Sequence, residues 1–190
     1  MSLGRLFRRG LQDGPVDALY RQIVEQARAP AFYRELGVPD SFDGRFEMLA
    51  LHLFLVLNRL QAQRDDPACR TLAQALTDRL VADVDANLRE MGAGDLGVGR
   101  KVRRIAEGFN GRVAAYDAGL ADSGGTLAPA IRRNVYGTAE PSAPQVAAMT
   151  DYVRACRRTL AAVAAADLAQ GAVRFAPVPT RARAEESGSR

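Results

Sequence analysis

The stretch DSFDGRFEMLALHLFLVLNRL, residues 40–60, decides the fold of this chain. After a turn-like Asp-Gly pair, residues 46–57 are apolar except for Glu47 and His52. These twelve residues are too few to cross the hydrocarbon core of a membrane, which needs about 20. A helix that is apolar on every side must instead be enclosed by other helices. The stretch therefore predicts a buried central helix over about residues 45–63.

The composition favours helices over sheets. Trp is absent, aromatic residues make up 6% of the chain, and Ala is abundant. Ala is the best helix former, whereas sheets are enriched in aromatic and β-branched residues. A length of 190 residues predicts one domain. Cys69 and Cys156 match no metal or redox spacing, and we expect both to be buried free thiols.

Start and stop signals divide the rest of the chain into helices. Pro15 suits the first position of a helix. Ser142 and Gln145 have the spacing of a capping box. Gly108 and Gly111 fall inside a long helical pattern, where glycine costs stability. We therefore expect another backbone to approach the helix closely at these two glycines.

Together the patterns predict an all-α, single-domain bundle of about seven helices around the central helix. Residues 15–171 would form the helical domain, with the last long helix running from 142 to about 171. Residues 1–14 are a basic lead, and residues 172–190 are an extended arm that ends in a polar tail.

The positive charge of the chain lies at its two ends. Of the net charge of +4, residues 1–10 contribute +3 and residues 172–190 contribute +2, which leaves −1 for the body. A nucleic-acid-binding domain needs a strongly basic face, so DNA is not an expected partner. The lead carries leucines and arginines that suit either an anionic membrane surface or a solvated start.

The chain lacks the residue sets of common enzymes. His52 is its only histidine, which excludes a catalytic triad or a histidine-rich metal site within the chain. We expect His52 to be a core residue whose ring nitrogens bind a backbone group or a carboxylate. Residues 92–97 match GxGxxG, but a helix precedes them, and Asp95 places a carboxylate where a pyrophosphate would sit. We therefore predict no cofactor, no metal and no catalytic residue.

Two charged clusters remain. Asp78, Asp83, Asp85 and Glu90 give the fourth helix an acidic side, which we interpret as a solvated face. A basic cluster opens the fifth helix, where the helix dipole disfavours cations. It is either a patch for an anionic partner, such as phosphates of RNA or lipid, or a solubilising surface. It consists of Arg100, Lys101, Arg103 and Arg104.

Four blocks of sequence carry a resemblance to a known family. They are FYRELGVPD at 32–40, DGRFEMLALHLFLVLNRL at 43–60, LREMGAGDLGVGRKV at 88–102 and FNGRVAAYDAGL at 109–120. In this order they resemble the ubiquinol–cytochrome c chaperone family, in its short bacterial form. The resemblance covers roughly residues 20–120.

The resemblance implies a helical assembly factor and not an enzyme. Mitochondrial members bind newly made cytochrome b, with a small partner protein, near the ribosomal exit. The implied partners are apo-cytochrome b, and beyond it the ribosome, a small helper protein and an anionic membrane surface. The implied location is cytoplasmic, including the inner face of the cytoplasmic membrane. The alternative is a peripheral membrane or ribosome-associated helical adaptor.

A transmembrane client exposes apolar helices, which a helical protein can cover with an apolar groove. Each candidate for this groove is either a groove residue or part of the core, and Met adapts to varied partners. The candidates are Phe32, Tyr33, Phe42, Phe46, Met48 and Met91. Motif residues with a structural role are Asp43, Gly44, Arg45, Glu47 and His52. Arg45 and Glu47 are expected to hold the turn before the central helix by hydrogen bonds.

Overall fold

A computed structural model describes residues 14–90, 95–122 and 125–180, and gives side chains for these residues outside 95–106. Every regular element in these ranges is helical, which confirms the all-α class. The elements are α1 (Pro15–Ala27), α2 (Pro30–Arg34), α3 (Phe42–Gln61), α4 (Pro67–Glu90), α5 (Asp95–Ala121), α6 (Leu127–Ile131), a π-helical turn (Arg132–Tyr136), α7 (Ala143–Ala161) and α8 (Ala165–Ala169). The three-part division of the chain stays a prediction, since its basic lead and polar tail lie largely outside the described residues.

Helix α3 is the predicted central helix. Residues 48–56 are all buried, whichever side of the helix they occupy. Helices α1, α4, α5 and α7 and the π-helical turn pack around α3 and cover it. A surface helix would bury only one stripe of side chains. The fold is therefore built around one helix whose middle part, residues 48–56, is shielded from solvent on every side.

Helix α3 begins at Phe42, three residues before the predicted start. The Ser41 hydroxyl accepts a hydrogen bond from the Gly44 N–H at 3.1 Å and caps the first turn. The Asp43-Gly44 pair that suggested a turn is therefore helical, and this expectation was wrong. Gly44 is required there because a Cβ would lie 2.0 Å from the carbonyl oxygen of Pro39.

The predicted close approach at Gly108 and Gly111 was also wrong. A Cβ on Gly111 would meet nothing within 4 Å, and one on Gly108 would meet only the side chain of Arg112 in its own helix. The close approach occurs at Gly119, where a Cβ would lie 2.7 Å from Cα of Leu127. Gly119 thus lets α6 lie directly against the end of α5.

The last predicted helix is divided in two. Its capping box forms as expected, with both reciprocal hydrogen bonds between Ser142 and Gln145. Helix α7 nevertheless ends at Ala161. Arg59 of α3 donates to the carbonyl of Leu160 at 3.0 Å and to that of Val163 at 2.7 Å, so it binds the chain on both sides of this end.

An extended arm follows α8. Residues 172–180 have no regular secondary structure. The Gln22 side chain of α1 holds the start of the arm, donating to the Gly171 carbonyl and accepting from the Val173 N–H. The ring of Phe175 packs edge-on against His52, with centroids 5.2 Å apart. The arm therefore covers part of α3. Both cysteines are buried and free, as expected.

We expect Gly119→Ala to lower the free energy of unfolding by about 1–3 kcal/mol, because the new methyl overpacks the contact with Leu127. Gly111→Ala, in open space on the same helix, is the matched control. It should raise the free energy of unfolding by about 0.5–1 kcal/mol. Urea denaturation measures both, and equal effects of the two substitutions would contradict the packing described here.

Candidate functional site

An apolar cleft of about 310 Å³ opens between α1, α3 and α4. Its walls come from one face of each helix and are mostly aliphatic or aromatic. The apolar lining consists of Val24, Ala27, Phe42, Phe46, Leu49 and Val84, with Asn87 beside them. Most binding sites for small ligands and side chains have this concave, largely apolar form. We call this feature the α1–α3–α4 cleft.

Two phenylalanines of α3 line this cleft. Phe42 is 43% exposed, although it lies on the most apolar helix of the fold. Phe46, one turn later, is partly buried and packs against the core. An exposed aromatic side chain at the edge of an apolar cleft is a feature of binding surfaces. Both residues were predicted to line a client groove, and both line this cleft.

A charged pair stands at the edge of the cleft. Arg45 donates its Nε–H to Asp40 Oδ1 at 2.7 Å. This bond holds the pKa of Asp40 below its usual range and raises that of Arg45. Arg45 therefore holds the turn before α3, as the sequence predicted.

Asp83 closes the cleft on the α4 side. Tyr20 donates to its carboxylate at 3.1 Å, and Arg79 lies 3.8 Å from it. Arg79 also donates to Asp17 at 2.9 Å, so α1 and α4 are joined by a small network. Burial raises the pKa of Asp83, against the hydrogen bond from Tyr20 and the charges of Arg79 and Arg28. The interpretation of the whole acidic side as solvated was therefore wrong for Asp83.

Glu47 faces a second, more polar cleft of about 580 Å³ on the other side of Phe46. Its carboxylate accepts two hydrogen bonds from Arg112 of α5, one of them at 2.6 Å. This pairing raises the pKa of Arg112, whose guanidinium also lies 5.8 Å from the centre of the Phe46 ring. Glu47 was expected to hold the turn before α3. It instead joins α3 to α5, because its position on the helix turns it away from that turn.

His52 is a fully buried core residue, as predicted. Its Nδ1 lies 2.7 Å from the Met48 carbonyl, which can only accept, so Nδ1 carries the hydrogen. Its Nε2 then accepts from the hydroxyl of Tyr152 at 2.7 Å, and Tyr152 accepts from Gln26 at 3.0 Å. The partners are thus a backbone carbonyl and a phenol. This chain of bonds fixes the neutral imidazole.

Three further candidates, whose side chains the structure describes, do not line the cleft. Phe32 and Met48 are completely buried, so of the two alternatives offered by the sequence both are core residues and not groove residues. Phe32 packs on the rings of His52 and Tyr152, and Met48 is on an enclosed part of α3. Tyr33 is half-buried and donates to the Ala27 carbonyl at 2.8 Å. Met91 lies outside the described residues.

For Arg100, Lys101, Arg103 and Arg104 the structure describes the backbone alone, which lies in the first turns of α5. Their role as a patch for an anionic partner remains a prediction. Helix α4 precedes the GxGxxG match, as the sequence indicated.

Sequence reasoning missed the α1 and α4 walls of the cleft. Val24, Leu49 and Val84 belong to regular apolar stripes, and such stripes predict core positions. Nothing in the sequence shows that three stripes meet without filling the space between them. The exposure of Phe42 at the cleft was also not predicted, because Phe42 precedes the expected start of the central helix at about residue 45.

The lining of the α1–α3–α4 cleft suits the binding of apolar groups. In the part of the chain that the structure describes, no group of three or more His, Cys, Asp or Glu side chains is placed to hold a metal ion. Among the same residues, no helix combines the length and apolar character needed to cross a membrane. What the cleft provides is apolar surface edged by arginine and aspartate side chains.

Comparisons with known proteins agree with the helical architecture. A family model described as ubiquinol-cytochrome C chaperone matches residues 34–175. The crystal structure of the Cbp3 homolog from Brucella abortus superposes with a TM-score of 0.77 at 39% identity, covering 86% of this chain and 90% of that one. The matched region includes α3, α4, α5 and the π-helical turn, and it contains the lining of the second cleft and most of the lining of the first.

Two curated relatives are more distant. Ubiquinol-cytochrome c reductase complex assembly factor 1 of Drosophila melanogaster is 24% identical over 139 residues, which is 72% of this chain and 54% of that protein. Mitochondrial protein CBP3 of Saccharomyces cerevisiae is 33% identical over 114 residues, which is 57% of this chain and 33% of that protein. The chain thus spans about half of the first relative and a third of the second.

The environment of His52 has a measurable consequence. Burial lowers its pKa to about 4, against the hydrogen bond to Met48. In the unfolded chain the pKa is about 6.5. As the pH falls from 6.5 towards 4, the unfolded chain takes up a proton that the folded chain does not. The free energy of unfolding should therefore decrease over this window, by up to about 3 kcal/mol from this group.

Because the chain has one histidine, NMR can read this group directly in untagged protein. We expect the Cε1–H resonance of His52 to stay constant from about pH 8 to about pH 5 while the protein remains folded. A folded-state titration near the ordinary histidine value would contradict the buried, neutral imidazole.

Proposed function

The chain belongs to the ubiquinol–cytochrome c chaperone family, and on that basis we propose that it is a non-enzymatic assembly factor for ubiquinol–cytochrome c reductase. Its client in this proposal is newly made cytochrome b, which it binds before the complex is complete. The observation that carries the proposal is the match of the family over residues 34–175, which contain most of the α1–α3–α4 cleft.

The names of the relatives support this function. Those from fruit fly, frog and mouse are assembly factors of the ubiquinol–cytochrome c reductase complex. Since the chain spans only part of these proteins, partners that they bind elsewhere do not carry over automatically. A small helper protein and the ribosome are therefore proposed as further partners of this chain. The proposed place of action is the cytoplasmic face of the membrane.

The cleft gives the proposal a physical basis. An unassembled membrane protein exposes apolar side chains that aggregate in water. The cleft removes such side chains from water without enclosing the client, since it is open and Phe42 lies at its edge. Burial of apolar area contributes roughly 25 cal/mol per Å². Binding that depends on the burial of a limited apolar area is reversible. A chaperone that must release its client requires such reversible binding.

Phe42 provides the test of this function. In a strain that lacks the gene, we expect assembled cytochrome b to decrease while its transcript stays normal. Complementation with Phe42→Ser should restore less assembled cytochrome b than the original gene does. The substitution removes roughly 1 kcal/mol of apolar contact, or about fivefold in client affinity. Spectroscopic cytochrome b content and co-purification of the client measure the two effects.

Val81→Ser is the matched control for Phe42→Ser. Val81 is 36% exposed and lies on α4, but it does not line the cleft. Complementation with this variant should be complete. Full assembly of cytochrome b in the deletion strain would refute the function, and equal effects of the two variants would refute the role of the cleft.

Attachment to an anionic surface is a second element of the proposal. The backbone of α5 places Arg100, Lys101, Arg103 and Arg104 within its first turns, and a cluster of cations can bind phosphates of lipid or RNA. Reversing three of these charges should reduce sedimentation with membranes or ribosomes at low salt. The same variant should keep its circular dichroism, and unchanged sedimentation would remove this element.

A further inference from the structure

We propose that the groove under the extended arm is a separate binding site for an extended polypeptide segment that carries a phenylalanine, and that residues 171–176 fill this site from within the chain. The occupant in this proposal is a segment of another protein, which replaces the arm. We call the site, which includes Gln22 and His52, the arm groove. It shares no residue with the lining of the α1–α3–α4 cleft, so the inference goes beyond the proposed function.

One end of the arm groove binds main chain. The carboxamide of Gln22 donates to the carbonyl of Gly171 and accepts from the N–H of Val173 at 3.3 Å. A carboxamide has both a donor and an acceptor, so this pair of bonds depends on an extended backbone and not on its side chains. A Cβ on Gly171 would lie 2.7 Å from the carbonyl oxygen of Pro15. A segment bound here therefore needs glycine at this position.

The other end of the arm groove is aromatic. The ring of Phe175 lies edge-on to His52, with centroids 5.2 Å apart and ring planes at 77°. His52 in turn contacts the rings of Phe32 and Tyr152. These three side chains are almost completely buried, and the arm covers part of the cluster that they form. The arm groove therefore receives one aromatic side chain on an aromatic floor.

The side chains of the arm alternate between the groove and solvent. Val173 and Phe175 pack against the core, whereas Arg174 between them is exposed. Proteins that recognise extended peptides commonly use hydrogen bonds to the main chain for affinity and pockets for alternate side chains for specificity. The arm is held in this way, and it shows which chemistry a replacing segment needs.

The remainder of the arm has few main-chain interactions. In the described part of the chain, no main-chain group of residues 174–180 is hydrogen-bonded to another main-chain group. The arm is also the last segment that the structure describes, so no later described element must move when the arm leaves the groove. An occupant tethered to its own site has an effective concentration of roughly a millimolar. A segment of another protein binds when its affinity overcomes this competition.

The probe is a fluorescein-labelled peptide, GAVRFAPV, with the sequence of residues 171–178. In the full chain, Phe175→Ala weakens the arm and leaves the rest of the groove unchanged. Fluorescence anisotropy should show that this variant binds the peptide about tenfold more tightly than the unchanged chain, because the arm competes less. Arg174→Ala, at the exposed neighbour of Phe175, is the matched control and should bind the peptide as the unchanged chain does.

Two altered peptides separate recognition in the groove from simple filling of a cavity. Alanine in place of the phenylalanine, or a methyl group on the valine nitrogen that removes the donor to Gln22, should each weaken binding to Phe175→Ala about tenfold. When Gln22→Leu is added to Phe175→Ala, the methylated and unmethylated peptides should bind equally weakly. Circular dichroism and the urea midpoint report whether each variant is folded.

The single histidine locates the bound peptide. The Cε1–H resonance of His52 should shift in Phe175→Ala, because the adjacent ring is absent, and the phenylalanine peptide should return it towards its original position. The alanine peptide should leave it unchanged. In the unchanged chain, a millimolar concentration of the peptide with tryptophan in place of phenylalanine should also shift this resonance, and this measurement needs no variant.

Three results would overturn the proposal. An unshifted His52 resonance in the unchanged chain, with no peptide binding to Phe175→Ala, would show that the arm is a fixed part of the fold. Equal binding of the methylated peptide would show that the peptide only fills a cavity beside His52. A dimer with exchanged arms would identify a second copy of the chain as the occupant. The proposed function is tested separately, by cytochrome b assembly in the deletion strain.

Discussion

Residues 48–56 of α3 are buried around the whole circumference of the helix, so other elements must cover every side of it. This constraint sets the positions of α1, α4, α5, α7 and the π-helical turn, which all pack on α3. An amphipathic helix can lie at the surface of a protein, but a helix that is apolar on every side must be enclosed. The bundle is therefore an enclosure for one helix, and its short elements and extended arm fill the space that the long helices leave.

Two buried side chains of α3 are polar, and the cost of burying each is offset by different hydrogen bonds. His52 is kept neutral by a carbonyl and a phenol, because a charged imidazole in this place would lose its hydration without compensation. Glu47 keeps a pairing with Arg112, which makes it a link to α5. Buried polar groups are costly when unpaired. These two positions consequently fix how α3 is turned relative to α7 and α5.

The enclosure is incomplete at the beginning of α3. There α1, α3 and α4 leave the α1–α3–α4 cleft between them, and Phe42 stays exposed. The apolar character that drives folding in the middle of the helix is thus available for binding at its first turns. An apolar surface alone would bind any apolar group. The neighbouring arginines and aspartates restrict the orientation in which a group can bind. In a family of assembly chaperones, this combination of a stable core and an accessible end is consistent with reversible capture of a client.

The sequence by itself determined the properties that depend on local order. Helix class follows from periodicity and composition, and the cap at Ser142 and the start of α1 at Pro15 follow from short-range chemistry. The burial of His52 follows from its apolar surroundings in the chain, and that of both cysteines from their apolar positions in helical patterns. The resemblance in the four blocks likewise needed only the order of residues, and the family match over residues 34–175 confirms it.

Only the tertiary structure decided which apolar residues are core and which remain accessible. Met48 and Phe42 are both large apolar residues of α3 that the sequence offered as groove candidates, yet one is enclosed and the other is exposed. The partners of Glu47 and Asp83 come from α5 and α1, more than 60 positions away in the chain. Gly119 is needed because α6 folds back onto α5. The reason is the same in each case: the packing of helices distant in sequence sets these contacts, and no local pattern encodes them.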